Sequence, residues 1–190
     1  MRCIFFTLIL MCLNTVSFAL ETTRLAAPLR EMQIHHVPEL GLQIWVENQP
    51  AWEAALSDTN GHPSFVVQSP ATYHPPSVIT YASWPKLSVT PEMLLGVASS
   101  AIRRASENFG LNLGQSRGIS IHAANYGALQ GYEADFVGQA QRVPMDVKIF
   151  VGQSAGKFPV VLCIYTLEGK MMQLKDVIRR SWQRVTYIGS

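Results

Sequence analysis

The period of the hydrophobic positions changes several times along this chain, and each change predicts a different element. Residues 4–13 are apolar apart from Thr7 and follow one basic residue, Arg2. A short apolar run behind a positive charge, closed by Ser17-Phe18-Ala19 as a small-x-small pattern, reads as a secretory signal peptide. The run is about half of the roughly 20 residues that span a bilayer as a helix, and polar Asn14 and Thr15 follow it. Residues 1–19 are therefore expected to be a leader cleaved between Ala19 and Leu20. The mature chain is expected to be periplasmic or secreted, with no transmembrane anchor.

Residues 20–40 form a Pro-containing arm of weak pattern. Period two then sets in, as Leu42, Ile44 and Val46 alternate with Gln43, Trp45 and Glu47, which predicts a strand. Gln49-Pro50-Ala51-Trp52 closes it, residues 52–56 read as a helical turn, and residues 58–63 are turn-rich. The runs at 65–67 and 78–81 are apolar, but Pro70, Pro75 and Pro76 reduce them to edge strands or loop. At Thr90 the period becomes helical: Thr90 is an N-cap, Pro91 the first helical residue, and Gly110 the stop. Leu94, Val97, Ala101, Ala105 and Phe109 form the expected inward stripe.

From residue 118 the period returns to two. Ile119 and Ile121, the run 132–137, the alternation Val143, Met145, Val147, Ile149, Val151, and the run 160–166 behind Pro159 predict strands joined by short hairpin loops. A final helix over 170–185 turns Leu174, Val177, Ile178, Trp182 and Val185 inward. These elements predict an α+β fold, an antiparallel sheet flanked by helices in an α/β/α sandwich. Residues 20–190 make one globular domain with 20–40 as its N-terminal arm.

Composition narrows the function. Fifteen Lys and Arg against 13 Asp and Glu give a formal net charge of +2, too balanced for a nucleic-acid or anionic-membrane binder. Of three cysteines, Cys3 and Cys12 leave with the leader, so Cys163 cannot form an intramolecular disulfide and its apolar surroundings predict a buried, inert thiol. A secreted domain without disulfides fits a bacterial periplasm. Lipidation at Cys12 is the alternative to simple cleavage, and Met11 before it is a poor substitute for the small residue a lipidation site prefers.

The chemistry-bearing patterns are few. Gly152-Gln153-Ser154-Ala155-Gly156 matches G-x-S-x-G, the nucleophile turn of α/β-hydrolases. All five histidines (His35, His36, His62, His74, His122) precede Ser154, however, and a strand rather than a helix is expected after it. The segment reads as a hairpin turn, with a serine hydrolase through Ser154 as the minor alternative. His35 and His36 point to opposite faces of a strand, and no metal-ligand spacing is present. Glu133 and Asp135 share a strand face and read as a solvated one. Arg179, Arg180 and Arg184 read as the outer face of the last helix. No catalytic, metal-binding or cofactor-binding residue is assigned. Trp45, Trp52, Tyr73 and Trp84 cluster in the Pro-rich first half, and Trp52, Tyr73, His74 and Trp84 are the expected partner-binding residues.

Pro38-Glu39-Leu40-Gly41-Leu42-Gln43-Ile44 with Pro50-Ala51-Trp52 resembles the opening of PsbP-like and DcrB-like domains. The closing hairpin and the helix carrying Ile178-Arg179-Arg180-Ser181-Trp182 resemble their end, so the similarity covers about residues 37–186. That resemblance implies an α/β/α sandwich used for binding proteins rather than for catalysis, without a family-wide catalytic residue. The expected function is thus a non-enzymatic periplasmic protein that binds another protein, a toxin or an envelope component, for instance an immunity protein that neutralises a toxin delivered to the periplasm. The alternative is a periplasmic binder of a small ligand or cell-envelope component. No cofactor and no nucleic acid are expected.

Overall fold

The computed structural model describes residues 32–59, 61–111 and 118–189. The leader, the Ala19–Leu20 cleavage point, Cys12 and most of the arm lie outside the described residues.

The described residues form ten strands and two α-helices. The strands are β1 (Met32–Val37), β2 (Leu42–Glu47), β3 (Glu53–Thr59), β4 (His62–Gln68), β5 (Ser77–Ser83), β6 (His122–Tyr126), β7 (Leu129–Ala140), β8 (Val143–Gln153), β9 (Val160–Leu167) and β10 (Thr186–Tyr187). Helix α1 (Pro91–Asn108) lies between β5 and β6, and α2 (Lys175–Trp182) follows β9 behind a 3-10 turn at Met171–Leu174. Seven strands make one antiparallel sheet in the order β3-β4-β5-β9-β8-β7-β6, and β1-β2-β10 make a second, smaller one. The α+β class and the helices on the sheet's flanks are as the sequence predicts.

The middle of the large sheet is covered on both faces. Along β9, Val160, Leu162 and Ile164 enter the core shared with the small sheet and α2, whereas Cys163 enters a second core beneath α1. A strand buried on both faces is selected for an apolar residue at nearly every position. That is why 160–164 reads as an unbroken run and why Phe150 interrupts the polar phase of β8. Burial pushes the Cys163 thiol up to about 12, so it stays protonated and unreactive, as expected.

Helix α1 packs on β7 and β8 through Leu94, Ala98 and Ile102. This ridge, spaced by four, is rotated slightly from the predicted stripe: Ala101, Ala105 and Phe109 pack partly buried against the same core, while Val97 stands half-buried on the flank. The small Ala98, fully buried, lets the helix backbone approach the sheet, and that fixes the phase. The predicted stop is a Schellman turn. Gly110 takes φ +75°, its N–H donates to Glu107 O at 3.0 Å, and Leu111 N–H reaches back to Ser106 O at 3.0 Å.

Three local expectations change. The arm is not unpatterned to its end, because residues 32–37 form β1 and pair with β2 from Met32↔Glu47 to Val37↔Leu42. Residues 53–59 are strand β3 rather than a helical turn, since Ala54 and Leu56 pair with Val67 and Phe65. The runs at 65–67 and 78–81 are full members of the sheet, with β5 lying inside it between β4 and β9. Pro70, Pro75 and Pro76 sit in the connection between β4 and β5, where they bound the strands without removing a ladder donor.

Candidate functional site

Of the partner-binding residues expected from sequence, Trp52, Tyr73 and His74 lie toward one end of β5 and Trp84 lies beyond the other. Trp52 is 5% exposed in the main core, and its ring meets Tyr73 edge-on at 5.0 Å. Tyr73 is half-buried and His74 exposed, both in the β4–β5 connection, which Ser69 and Ser77 close through two hydrogen bonds of 2.9 Å. Trp84 follows the far end of β5, a seven-residue strand, roughly 20 Å away at 3.3 Å per residue. Trp52 and Tyr73 thus form a structural corner, while Trp84 belongs to a different surface.

Ser154 lies directly after β8, in a β-turn closed by Lys157 N–H on Ser154 O at 3.0 Å. Its hydroxyl donates to Ala128 O at 3.1 Å, and strand β9 comes next. The strand-to-helix geometry that exposes a hydrolase nucleophile is not built here.

Glu133 and Asp135 do share a face, but they are not simply solvated. The register brings His122 opposite Glu133 and Lys148 opposite Asp135. The Lys148 ammonium donates to Asp135 at 2.8 Å and to Glu133 at 3.2 Å, Tyr126 O–H donates to Glu133 at 2.6 Å, and His122 Nε2 lies 2.9 Å from the same carboxylate. Burial raises the Glu133 pKa, but the hydrogen bonds from Tyr126 and the charge of Lys148 outweigh it and hold the carboxyl below its usual range. Tyr126 is pushed far above the ordinary phenol value by burial and by the adjacent carboxylate, so it acts as a donor and not as a base. Among the described residues His122, Glu133 and Asp135 bring ligand-type atoms within 4.8 Å of one another. The one ammonium bridges both carboxylates and offsets part of their charge, which makes the cluster an ion-paired clasp across β6, β7 and β8. The Arg179-Arg180-Arg184 face is similarly engaged: Arg180 pairs with Glu47 and Arg184 stacks on Trp45 at 5.2 Å.

A concave surface lies beside α1. The helix covers β7 and β8 and leaves the same face of β4 and β5 open, where Val66, Val78, Thr80 and Ala82 are half-buried. Along this flank runs a groove of about 830 Å³, lined by Trp84, Leu87, Met93, Val97, Ala101 and Arg104, with the exposed Gly96 and Ser100 on its rim. Met93 is 59% exposed and Leu87 43%, high for residues of their size. The opposite wall is a turn pinned by Trp84 N–H on Pro159 O at 3.2 Å and Leu87 N–H on Trp84 O at 2.9 Å. Of these residues the sequence reading gave a binding role to Trp84 alone. The missed signal is a second ridge on the helix, Met93-Val97-Ala101, parallel to the buried Leu94-Ala98-Ile102: a helix with two apolar ridges and one sheet beneath it leaves one ridge uncovered.

No family model matches the chain, and no curated protein does. Solved structures do resemble it. A crystal structure from Bacteroides thetaiotaomicron VPI-5482 superposes with a TM-score of 0.55 at 9% identity, over 81% of this chain and 47% of that one. The chain thus spans about half the length of that relative. LpqN of Mycobacterium tuberculosis, a protein involved in cell envelope biogenesis, superposes with a TM-score of 0.46 at 15% identity, over 84% of this chain and 91% of LpqN. The first likeness shows the fold, a mixed α+β sandwich shared with a distant structural relative. The second is too loose to bear on function. Among the described residues no helix is long and apolar enough to cross a membrane.

Proposed function

We propose that the protein is a non-enzymatic, extracytoplasmic binding protein of PsbP/DcrB-like type that takes an apolar chain into the groove beside α1. The observation that carries this is the groove itself, about 830 Å³ and lined mainly by Trp84, Leu87, Met93, Val97 and Ala101. That volume falls in the range of about 300–1,000 Å³ typical of small-molecule sites. An apolar surface left open beside a well-packed helix costs solubility unless something covers it. The leader-like residues 1–19 support a location outside the cytoplasm, where envelope components supply such chains.

A protein partner is the second reading, and Leu95 favours it. This residue is 46% exposed on α1 and lies on the far side of the buried Leu94-Ala98-Ile102 ridge from the groove, so the helix offers apolar surface on two flanks, more than one small ligand would cover. A toxin-neutralising role is the concrete form of that reading.

The direct test is titration of the exported protein with N-phenyl-1-naphthylamine, a neutral apolar fluorophore. Saturable binding by the native protein, lost when Ala101→Trp fills the groove, is expected. No binding, or equal binding by both proteins, would sink the proposal.

A further inference from the structure

We infer that the groove selects single-chain amphiphiles with an anionic head, such as a fatty carboxylate, and that Arg104 reads the head. This inference rests on the groove being the binding site and goes beyond it by naming the chemical class of ligand.

Charge distribution carries the argument. Trp84, Leu87, Met93, Val97 and Ala101 supply apolar wall, Gly96 leaves room, Ser100 adds one hydroxyl, and Arg104 is the single ionisable group of the lining. Among the described residues no carboxylate pairs with Arg104, in contrast to Arg179 and Arg180, which both have acidic partners. Arg104 is exposed, so its charge is not buried at a cost and stays available. A planar guanidinium presents several N–H donors in a fork that matches carboxylate or phosphate geometry.

Position completes the case. Met93 and Arg104 mark the two ends of the groove along α1, and at 1.5 Å per residue the helix carries them about 16 Å apart. An occupant that satisfies both ends is therefore apolar over most of its length and negative at one end. A neutral chain would leave Arg104 without a partner. A cationic head would face it with like charge.

The experiment compares three ligands of equal tail, dodecanoate, dodecanol and dodecyltrimethylammonium, each below its aggregation concentration. Binding to the exported protein is measured by calorimetry, with anionic phospholipid vesicles as a fourth arm. The carboxylate is expected to bind at least about tenfold tighter than the alcohol, and the ammonium weakest. Arg104→Gln should erase the gap between carboxylate and alcohol while leaving the alcohol unchanged, and Arg104→Lys should restore part of it. Shortening the tail should weaken binding by about two- to fourfold per methylene.

Equal affinity for the three heads, or a carboxylate preference untouched by Arg104→Gln, would overturn the inference and leave the groove an unselective apolar site. Binding to vesicles without binding to soluble dodecanoate would overturn it in favour of a membrane surface. Loss of all three ligands' binding sites from the groove, seen as indifference to Ala101→Trp, would instead overturn the groove reading itself.

Discussion

Removing the Arg180 guanidinium tests how the second layer is fastened to the rest of the fold. Arg180 on α2 places Nε 2.8 Å and Nη2 2.6 Å from Glu47 Oε1 on β2, and the Glu47 side chain is 3% exposed. Ser181 on the next position donates its hydroxyl to Trp45 O at 3.2 Å, so two adjacent residues of one helix grip two positions of one strand. Arg180→Met keeps much of the aliphatic packing and leaves the Glu47 carboxylate buried without its counter-charge. Breaking a buried pair from one side costs about 3–5 kcal/mol. The Arg180 side chain keeps 27% of its exposure, and the water that reaches it screens the pair, which places the loss at the low end, about 3 kcal/mol. For a domain of this length that lowers Tm by about 6–12 °C. Urea unfolding followed by tryptophan fluorescence gives the free energies of Arg180→Met, Glu47→Leu and the double variant. The double variant should be more stable than Arg180→Met, because it removes the stranded charge along with its partner. An Arg180→Met loss below about 1 kcal/mol, or single losses that simply add in the double variant, would refute the reasoning.

Three further outcomes are expected. Gly127→Ala should destabilise by at least about 2 kcal/mol in the same unfolding assay, because φ is +58° and the added Cβ would collide with Gln183 O; a neutral result would mean the β6–β7 turn adjusts freely. His35 faces Phe65 at a ring distance of 5.2 Å, and burial lowers its pKa from 6.5; the folded state therefore disfavours the charged ring, the stabilisation is present above about pH 6.5, and it is lost as pH falls from there. Stability measured between pH 7.5 and 5 should fall less steeply in His35→Phe than in the native protein, and identical slopes would count against the assignment. Glu133 has a lowered folded pKa, so its contribution is present above its ordinary value near 4.5 and is lost as pH falls through the folded one; Lys148→Gln should cost about 1–2 kcal/mol at neutral pH and shrink that acid-side loss, which pH-dependent denaturation reads directly.

The large sheet and the final helix were legible because single-residue chemistry and packing demand agree there. Leu174, Val177, Ile178, Trp182 and Val185 were predicted inward and are all buried, since an amphipathic helix at the end of a chain has one face to bury and one partner to bury it against. The start of that helix was less legible. Asp146, a β8 side chain, accepts the N–H groups of Lys170 and Met171 at 3.0 Å each, and this distant carboxylate accompanies a 3-10 turn ahead of α2. A cap supplied from 24 residues upstream leaves no local mark. Strands β4 and β5 were underestimated for the opposite reason. Their prolines are visible locally and lowered the expectation, whereas the ladder from Glu53↔Gln68 through Val78↔Tyr165 that recruits them is a property of the whole sheet.

The candidate site follows the same division. Trp52, Tyr73, His74 and Trp84 were grouped by proximity in sequence, but a seven-residue strand with its connection at one end separates the first three from the fourth. Aromatic type alone does not distinguish a residue that closes a corner, as Trp52 does, from one that lines a groove, as Trp84 does. What discriminates is demand for cover. Helix α1 carries two ridges spaced by four, Leu94-Ala98-Ile102 and Met93-Val97-Ala101, and a helix lying on a flat sheet buries only one. Choosing Val97 for the buried stripe concealed the surplus, although Ala101 does pack at the edge of the core. With Ala98 fully buried and Met93 59% exposed, the surplus ridge becomes the wall of the groove, and its apolar character calls for an occupant rather than for a core.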